Sequence, residues 1–152
     1  SEKIQVLERL QKYCAYQERC HSEVRNKLLN MKVYGDDLEE IISQLVQENF
    51  LNEERFARSF ARGKFRMKRW GRYRIKLELK RRDISEYCIN KAMSEIDEQD
   101  YLSTLDDLVE KLIGEYQHLS PAERRQKITQ RLGRRGFEFG LISQSLEKFR
   151  IP

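Results

Sequence analysis

The stretch that decides the fold is RYRIKLELKRRDISEYCINKAMSEI, residues 72–96. Its apolar residues are spaced by four, then interrupted, and then spaced by four and three. This is the pattern of two amphipathic helices joined by a short turn. Ser85 followed by Glu86 is a helix-start signal, because a serine side chain can accept a hydrogen bond from the first turn. The stretch therefore predicts a helix, a turn and a second helix.

The same pattern occurs three times at a period of about fifty residues. If Leu28, Leu79 and Leu132 are equivalent, apolar residues recur at five further offsets without an insertion. The equivalent sets are Val24, Ile75 and Ile128; Val33, Ile84 and Phe137; Leu38, Ile89 and Ile142; Ile42, Met93 and Leu146; and Leu45, Ile96 and Phe149. Unrelated amphipathic helices can also be aligned by shifting them, but this shared register favours a true repeat.

A further helix precedes each of these pairs. The pattern predicts it from about Ile4 to Gln17, from Asn52 to Arg69 and from Tyr101 to Tyr116. Asn52 and the sequence Ser120-Pro121-Ala122-Glu123 are additional start signals. The sequence thus predicts an all-α fold, a tandem array of three three-helix repeats that is elongated and curved. The predicted repeats are residues 1–50, 51–98 and 99–152.

Composition supports a helical protein in a reducing compartment. Two prolines and seven glycines in 152 residues leave long runs of good helix formers. Cys14, Cys20 and Cys88 are an odd number in a chain too large to need disulfides, so we expect buried or idle thiols. No secretory signal is evident in residues 1–20, and about 18 consecutive apolar residues occur nowhere. We expect a cytoplasmic monomer without a membrane segment.

Charge is distributed unevenly along the chain. The net charge is +5, yet residues 55–82 hold thirteen Lys and Arg against the single acid Glu78. An acidic block follows: Glu95, Asp97, Glu98, Asp100, Asp106, Asp107 and Glu110. We therefore expect one positive surface and one negative surface.

The predicted helix 52–69 carries a line of arginines. Arg55, Arg58, Arg62, Arg66 and Arg69 are spaced by three or four residues and fall within an arc of about 80°. The opposite, core-facing side is predicted to hold Phe56, Phe60, Gly63 and Met67. Because arginine suits phosphate and carboxylate, an anionic partner is favoured over a merely solvated helix face.

The predicted binding residues extend beyond this line. The full set proposed for nucleic acid or a recombinase filament is Arg55, Arg58, Arg62, Arg66, Lys68, Arg69, Arg72, Arg74, Lys76, Lys80 and Arg81. A secondary basic patch consists of Arg124, Arg125, Lys127, Arg131, Arg134 and Arg135. Trp70 and Tyr73 could stack on a base, but packing at the corner between two helices is the favoured interpretation.

The sequence does not indicate an enzyme. His21 and His118 lie in different repeats, and the cysteines have neither CxxC nor zinc-finger spacing. Neither GxxxxGK[ST] nor GxGxxG occurs. We therefore expect no catalytic residue, no metal and no cofactor.

Three segments resemble the RecX family of recombination regulators. They are FLNEERFARSF (residues 50–60), WGRYRIKLEL (residues 70–79) and SEVRNKL (residues 22–28). The likeness is close from about residue 10 to residue 96 and weak afterwards. The positions that match the family pattern are Leu51, Arg55, Phe56, Phe60, Gly71, Arg74, Ile75, Glu78 and Leu79. Asn52 replaces a frequent Asp, and Lys32 and Asp83 replace a frequent turn glycine.

The resemblance implies a function that composition does not supply. It implies a bacterial, non-enzymatic protein that binds a RecA-type recombinase and its single-stranded DNA filament. Such a protein would limit filament assembly, ATP hydrolysis and strand exchange during DNA repair and the SOS response. The alternative is a stand-alone nucleic-acid-binding module without a recombinase partner, and a weaker one is an adaptor for an acidic protein.

Overall fold

A computed structural model describes residues 2–149, and within that range it contains nine α-helices and no strand. The helices are α1 (Glu2–Tyr16), α2 (His21–Asn30), α3 (Gly35–Gln47), α4 (Glu53–Lys68), α5 (Arg72–Arg81), α6 (Glu86–Met93), α7 (Glu98–Glu115), α8 (Pro121–Arg134) and α9 (Phe139–Lys148). The all-helical prediction is confirmed. The outer ends of the first and third predicted repeats, residue 1 and residues 150–152, lie outside the described residues.

The predicted helix-start signals are side-chain caps in the structure. Asn52 Oδ1 accepts a hydrogen bond from the backbone N–H of Arg55 at 2.8 Å. Ser85 Oγ accepts one from Cys88 at 3.3 Å, and Ser120 Oγ accepts one from Glu123 at 3.3 Å. Each cap satisfies a backbone donor that the first helical turn leaves unpaired.

The turn after the second helix of each predicted repeat has the same geometry. A backbone N–H donates to the carbonyl five residues earlier in Val33→Leu28 (3.0 Å), Ile84→Leu79 (3.1 Å) and Phe137→Leu132 (3.0 Å). The residue before each donor is left-handed, with φ of 62° at Lys32, 59° at Asp83 and 107° at Gly136. This is a Schellman motif, in which glycine is the unstrained choice. Lys32 and Asp83 adopt this left-handed conformation without being glycine, so the backbone is strained at both positions.

Most of the residues aligned by the repeat register are buried in the core, whereas Val33, Met93 and Phe149 are half-buried. Val24, Ile75 and Ile128 are fully buried, and Leu28, Leu79 and Leu132 are at most 1% exposed. Helices α1 and α2 both pack on α3, and α7, α8 and α9 pack on one another. Shared burial at shared offsets is what a repeated packing unit requires.

The chain divides into two compact units. The first unit is Ser1–Ser59 with Leu79–Ala92, and the second unit is Phe60–Glu78 with Met93–Pro152. The first has an apolar core that includes Leu10, Leu28 and Leu45. The limits of the units fall inside α4, α5 and α6, so the boundaries of the three repeats stay a prediction.

The buried side of α4 differs from the predicted one. Phe56, Ala57, Ala61 and Phe65 are buried, whereas Met67 is 82% exposed and Phe60 and Gly63 are only half-buried. The buried side is thus rotated by roughly a quarter turn from the predicted one. The error arose because two alanines were not counted as core residues, although alanine fits where helices approach closely.

Candidate nucleic-acid interface

Hydrogen bonds within the first unit hold the Arg55 side chain in place. Its Nε donates to Glu18 Oε2 at 2.6 Å, and its Nη2 donates to the backbone carbonyls of Asn49 (3.0 Å) and Phe50 (3.3 Å). These carbonyls follow the end of α3, where backbone acceptors lack helical partners. Arg55 therefore closes a helix end, and its donors are not available to a ligand as the sequence pattern suggested.

The next two arginines of the line are also paired with carboxylates. Arg58 Nε donates to Glu54 Oε2 at 3.0 Å, one helical turn away. Arg62 Nη1 forms an ion pair with Glu95, the first member of the acidic block. Part of the positive charge of α4 is therefore neutralised by the chain itself.

The end of α4 is different. Arg66, Lys68 and Arg69 are exposed, and within residues 2–149 none of them lies within ion-pair distance of a carboxylate. Arg69 has φ of 54° and ends the helix in the left-handed conformation. Arg66 and Arg69 are the part of the predicted line that remains available to an anion, together with the neighbouring Lys68.

Arg72 belongs to a half-buried polar cluster in the second unit. Its guanidinium pairs with Glu98 and with Glu138 (2.7 Å) and lies 3.9 Å from the centre of the Tyr101 ring. The Tyr101 hydroxyl donates to Glu138 and accepts from the backbone N–H of Arg72 at 3.0 Å. Burial, and then the bond to Glu138, raise the pKa of Tyr101 far above its ordinary value. Arg72 was predicted to contact a ligand, and its donors are engaged here instead.

The remaining predicted residues of α5 have several environments. The Arg74 guanidinium lies 4.1 Å from the centre of the Trp70 ring, and that ring packs edge-on against Phe60. Trp70 thus packs the corner between α4 and α5, as favoured from the sequence, whereas Tyr73 is 61% exposed. Lys76 is half-buried, Lys80 is 3.4 Å from Glu86, and Arg81 is exposed at the last residue of α5.

The secondary basic patch also divides into engaged and available cations. Arg124 donates to the carbonyls of Tyr116, Gln117 and Leu119 at 3.0–3.2 Å and so closes the end of α7. Arg125 donates to Ser143 Oγ at 2.8 Å, and Arg131 donates to Glu115 at 3.1 Å. Lys127 and Arg134 are exposed, and among the described residues neither has a carboxylate partner.

Arg135 joins the two basic segments of the second unit. Its guanidinium donates to the backbone carbonyls of Arg69 (2.9 Å) and Lys68 (2.7 Å), at the end of α4. Burial, and then the neighbouring charges of Arg69, Arg131 and Arg74, lower the pKa of Arg135. Arg69, Arg74 and Arg131 therefore lie close enough to Arg135 to repel its charge, and we call these four residues the arginine cluster.

Two glycines make this approach possible. A Cβ atom on Gly71 would lie 2.2 Å from the carbonyl carbon of Gly136, and one on Gly136 would lie 2.6 Å from Arg74. Gly71 N–H donates to the carbonyl of Arg135 at 2.9 Å, and Tyr73 N–H donates to that of Gly136 at 3.0 Å. Only residues without a side chain allow two backbones this close.

The sequence did not indicate several residues that organise this site. Tyr101 and Glu138 were not singled out, because a lone tyrosine and a lone glutamate carry no pattern. Gly136 was assigned to a turn, and its contact with Gly71 across 65 positions could not be read from spacing. In residues 2–149 no group of three or more His, Cys, Asp or Glu is placed to hold a metal, and no helix is long and apolar enough to cross a membrane.

Comparison with known proteins places the chain in a family. Residues 52–93 match the family model for the second three-helix domain of RecX, and residues 98–146 match that for the third. The regulatory protein RecX of Lactococcus lactis is 32% identical over 142 residues, which cover 91% of this chain and 53% of that protein. The regulatory protein RecX of Prosthecochloris aestuarii is 28% identical over 151 residues, covering 97% of this chain and 95% of that protein.

A solved structure supports the same assignment. The crystal structure of RecX from Lactobacillus salivarius matches with a TM-score of 0.87 and 25% identity, over 99% of this chain and 97% of that one. The chain spans about half the length of the Lactococcus relative. The matching domains, the related sequences and the shared three-helix architecture lead to one conclusion: the chain belongs to the RecX family.

Proposed function

We propose that this protein regulates a RecA-type recombinase, as an inhibitor that binds the recombinase and its single-stranded DNA filament. It would thereby limit filament assembly, ATP hydrolysis and strand exchange in DNA repair. Membership of a family whose relatives are named regulatory proteins supports a regulatory role. The observation that carries the choice of partner is the group of exposed cations Arg66, Lys68, Arg69 and Arg134, which have no carboxylate partner among the described residues and can therefore pair with an anionic ligand.

The contact surface we propose is narrower than the set of basic residues in the sequence. It consists of Arg69 and Arg74 of the arginine cluster with the exposed cations Arg66, Lys68 and Arg134. Arg131 and Arg135 of the cluster already donate to Glu115 and to backbone carbonyls, respectively. DNA phosphates or acidic recombinase side chains would neutralise these charges, and counterions would be released. We assign Arg55, Arg72 and Arg124 to holding the fold, since their donors already serve carboxylates and backbone carbonyls.

The proposal is tested with purified recombinase on single-stranded DNA. The protein at substoichiometric amounts should lower the rates of ATP hydrolysis and strand exchange. A triple variant, Arg66→Gln with Lys68→Gln and Arg69→Gln, should need a severalfold higher concentration for the same inhibition. The control is a double variant, Lys12→Gln with Lys111→Gln, at two exposed cations that have no ion pair within residues 2–149, and it should inhibit like the parent protein.

Two results would reject the proposal. The first is unchanged recombinase rates at saturating protein. The second is tight binding to bare DNA that added recombinase does not alter, which would favour the stand-alone nucleic-acid-binding module.

A further inference from the structure

Two adjoining clefts lie along one side of α8 in the second unit. One, of about 350 Å³, is lined by Tyr116, Lys127, Gln130, Arg131 and Arg134. The other, of about 490 Å³, is lined by Thr129, Gln130, Gly133, Arg134 and Phe139. They share Gln130 and Arg134 and therefore adjoin along α8, and we call the two clefts together the groove. Lys127, Gln130, Arg131 and Arg134 are spaced by three, one and three residues and therefore lie on one face of the helix.

This groove is positively charged. Lys127, Arg131 and Arg134 line it, and no carboxylate is among its lining residues. Arg131 is partly neutralised, because it donates to Glu115 at 3.1 Å. Lys127 and Arg134 have no carboxylate partner among the described residues, so the groove carries an excess of positive charge, which fits an anionic ligand.

An exposed aromatic ring forms one wall of the groove. Phe139, the first residue of α9, is 65% exposed, whereas Phe137 two residues earlier is 1% exposed and belongs to the core. The Phe139 ring rests against α8 at Gly133, where an added Cβ would lie 2.7 Å from its Cε1 atom. The ring is thus not part of the core, but its contact with Gly133 fixes its position in the cleft that Arg134 also lines.

The repeat register shows that packing does not require an aromatic residue here. Phe139 lies seven residues after Leu132, and the same offset from Leu79 and Leu28 gives Glu86 and Gly35. A position with a structural demand common to all repeats would be apolar in each, as the core positions are. Phe139 is therefore a feature of the third repeat alone.

We propose that this groove binds single-stranded nucleic acid, with one base stacked on Phe139 and the flanking phosphates held by Lys127, Arg131 and Arg134. The three cations extend over about 10 Å of helix, which is the scale of neighbouring phosphates along a strand. Gln130 and Thr129 supply hydrogen-bonding groups for a base edge. This inference deepens the proposed function, because it names the strand that the second unit contacts and the residues that hold it.

Stacking makes the groove selective for single strands. Bases in a duplex are already stacked and paired, so Phe139 can reach one only when the strand is open. Phosphates, in contrast, are exposed in both forms. The contribution of the ring should therefore appear with single strands and vanish with duplexes.

The test is direct binding by fluorescence anisotropy without recombinase. The whole chain is titrated into labelled (dT)20, a 20-base-pair duplex and a 20-residue strand whose central positions are abasic. Phe139→Leu should weaken binding to (dT)20 about tenfold. It should leave binding to the duplex and to the abasic strand unchanged, and Phe139→Tyr should retain the parent affinity. Tyr87→Leu, which removes another exposed aromatic residue, is the control and should bind like the parent.

Several outcomes would overturn the inference. These are an unchanged affinity of Phe139→Leu for (dT)20, an equal loss on single strand and duplex, or competition by polyglutamate as effective as by (dT)20. Far-UV circular dichroism and the urea midpoint should match the parent, since the ring is exposed. Because recombinase is absent, binding through Phe139 with no effect on recombinase would reject the proposed function and leave this inference standing. Inhibition of the recombinase together with an unchanged affinity of Phe139→Leu for (dT)20 would reject this inference and leave the proposed function standing.

Discussion

Arginines in one helix differ in what their donors contact. Arg55 donates hydrogen bonds to Glu18 and to two backbone carbonyls after α3. Arg66 lies three turns further along α4 and is exposed, without a carboxylate partner in the described residues. An arginine that joins a carboxylate to helix-end carbonyls stabilises the fold. One that faces solvent is available to a ligand.

These two arginines should respond in opposite ways to substitution. Arg55→Ala should lower the free energy of unfolding by about 1–3 kcal/mol, because Glu18 and two carbonyls lose their donors. Arg66→Ala should change it by less than about 0.5 kcal/mol but weaken binding to DNA. Urea unfolding followed by circular dichroism measures the first effect, and anisotropy measures the second. Equal stabilities of the two variants would contradict the assignment.

Tyr101 should give the protein a measurable sensitivity to alkaline pH. Its pKa is raised by burial, so below pH 10 the hydroxyl is protonated in both folded and unfolded chains and stability is complete. Above pH 10 the unfolded chain ionises first, and the free energy of unfolding falls. Tyr101→Phe should be less stable by about 1–3 kcal/mol at neutral pH, because Glu138 and Arg72 lose a partner.

The difference in the free energy of unfolding between the parent and Tyr101→Phe separates the effect of Tyr101 from that of the other tyrosines. Unfolding in urea at pH 8 to 11 should show a gap between the parent and Tyr101→Phe that narrows as the pH rises above 10. A constant gap across this range would mean that the ionisation of Tyr101 is not coupled to folding.

At the scale of elements, Gly71 and Gly136 allow the start of α5 to pack closely against the turn between α8 and α9. The structure leaves no space for a Cβ on Gly71, which faces the backbone of Gly136. In contrast, Gly63 in α4 has no atom within 4 Å of the position of a Cβ. Gly71 is thus required by close backbone packing, whereas Gly63 is not.

Alanine substitutions at Gly71 and Gly63 should change the stability of the fold in opposite directions. Gly71→Ala should lower the free energy of unfolding by at least about 2 kcal/mol, because a backbone contact must open. Gly63→Ala should raise it by about 0.5–1 kcal/mol, since alanine favours the helix interior. Thermal and urea denaturation measure both, and a Gly71→Ala protein as stable as its parent would disprove the close approach.

The whole molecule carries a net charge of +5, but its available positive charge is concentrated. Part of the basic segment pairs with carboxylates of the chain, among them Glu95 and Glu98 of the acidic block. Within the arginine cluster Arg131 pairs with Glu115, whereas Arg69 and the exposed neighbours Arg66, Lys68 and Arg134 have no carboxylate partner among the described residues. Charge excess at one place, rather than the total charge, should control binding to DNA.

Salt dependence measures this concentration of charge. The logarithm of the affinity for single-stranded DNA should fall linearly with the logarithm of the salt concentration. Replacing Arg66, Lys68 and Arg69 with Gln should reduce the slope by about 0.7 for each phosphate contact that is lost. The Lys12→Gln and Lys111→Gln control should keep the parent slope. An equal reduction in both proteins would mean that only total charge matters.

Local patterns were sufficient for the helices, their caps and most of the repeated core positions, but not for the buried side of α4. The spacing of Ile75 and Leu79 depends only on helix geometry, and so does the capping by Asn52, because the groups involved are within a few residues of one another. The register of the three repeats followed for the same reason. The family likeness, too, could be read from short segments of sequence.

The site depended on contacts between distant residues. Arg135 meets the end of α4 across 66 positions, and Arg62 meets Glu95 across 33. Which arginines are engaged and which are available is set by how the helices pack, and spacing within one helix carries no information about that. The sequence by itself determined three pairs of amphipathic helices and an excess of positive charge. Only the tertiary structure decided where that charge lies uncompensated, because an ion pair forms wherever folding brings two side chains together.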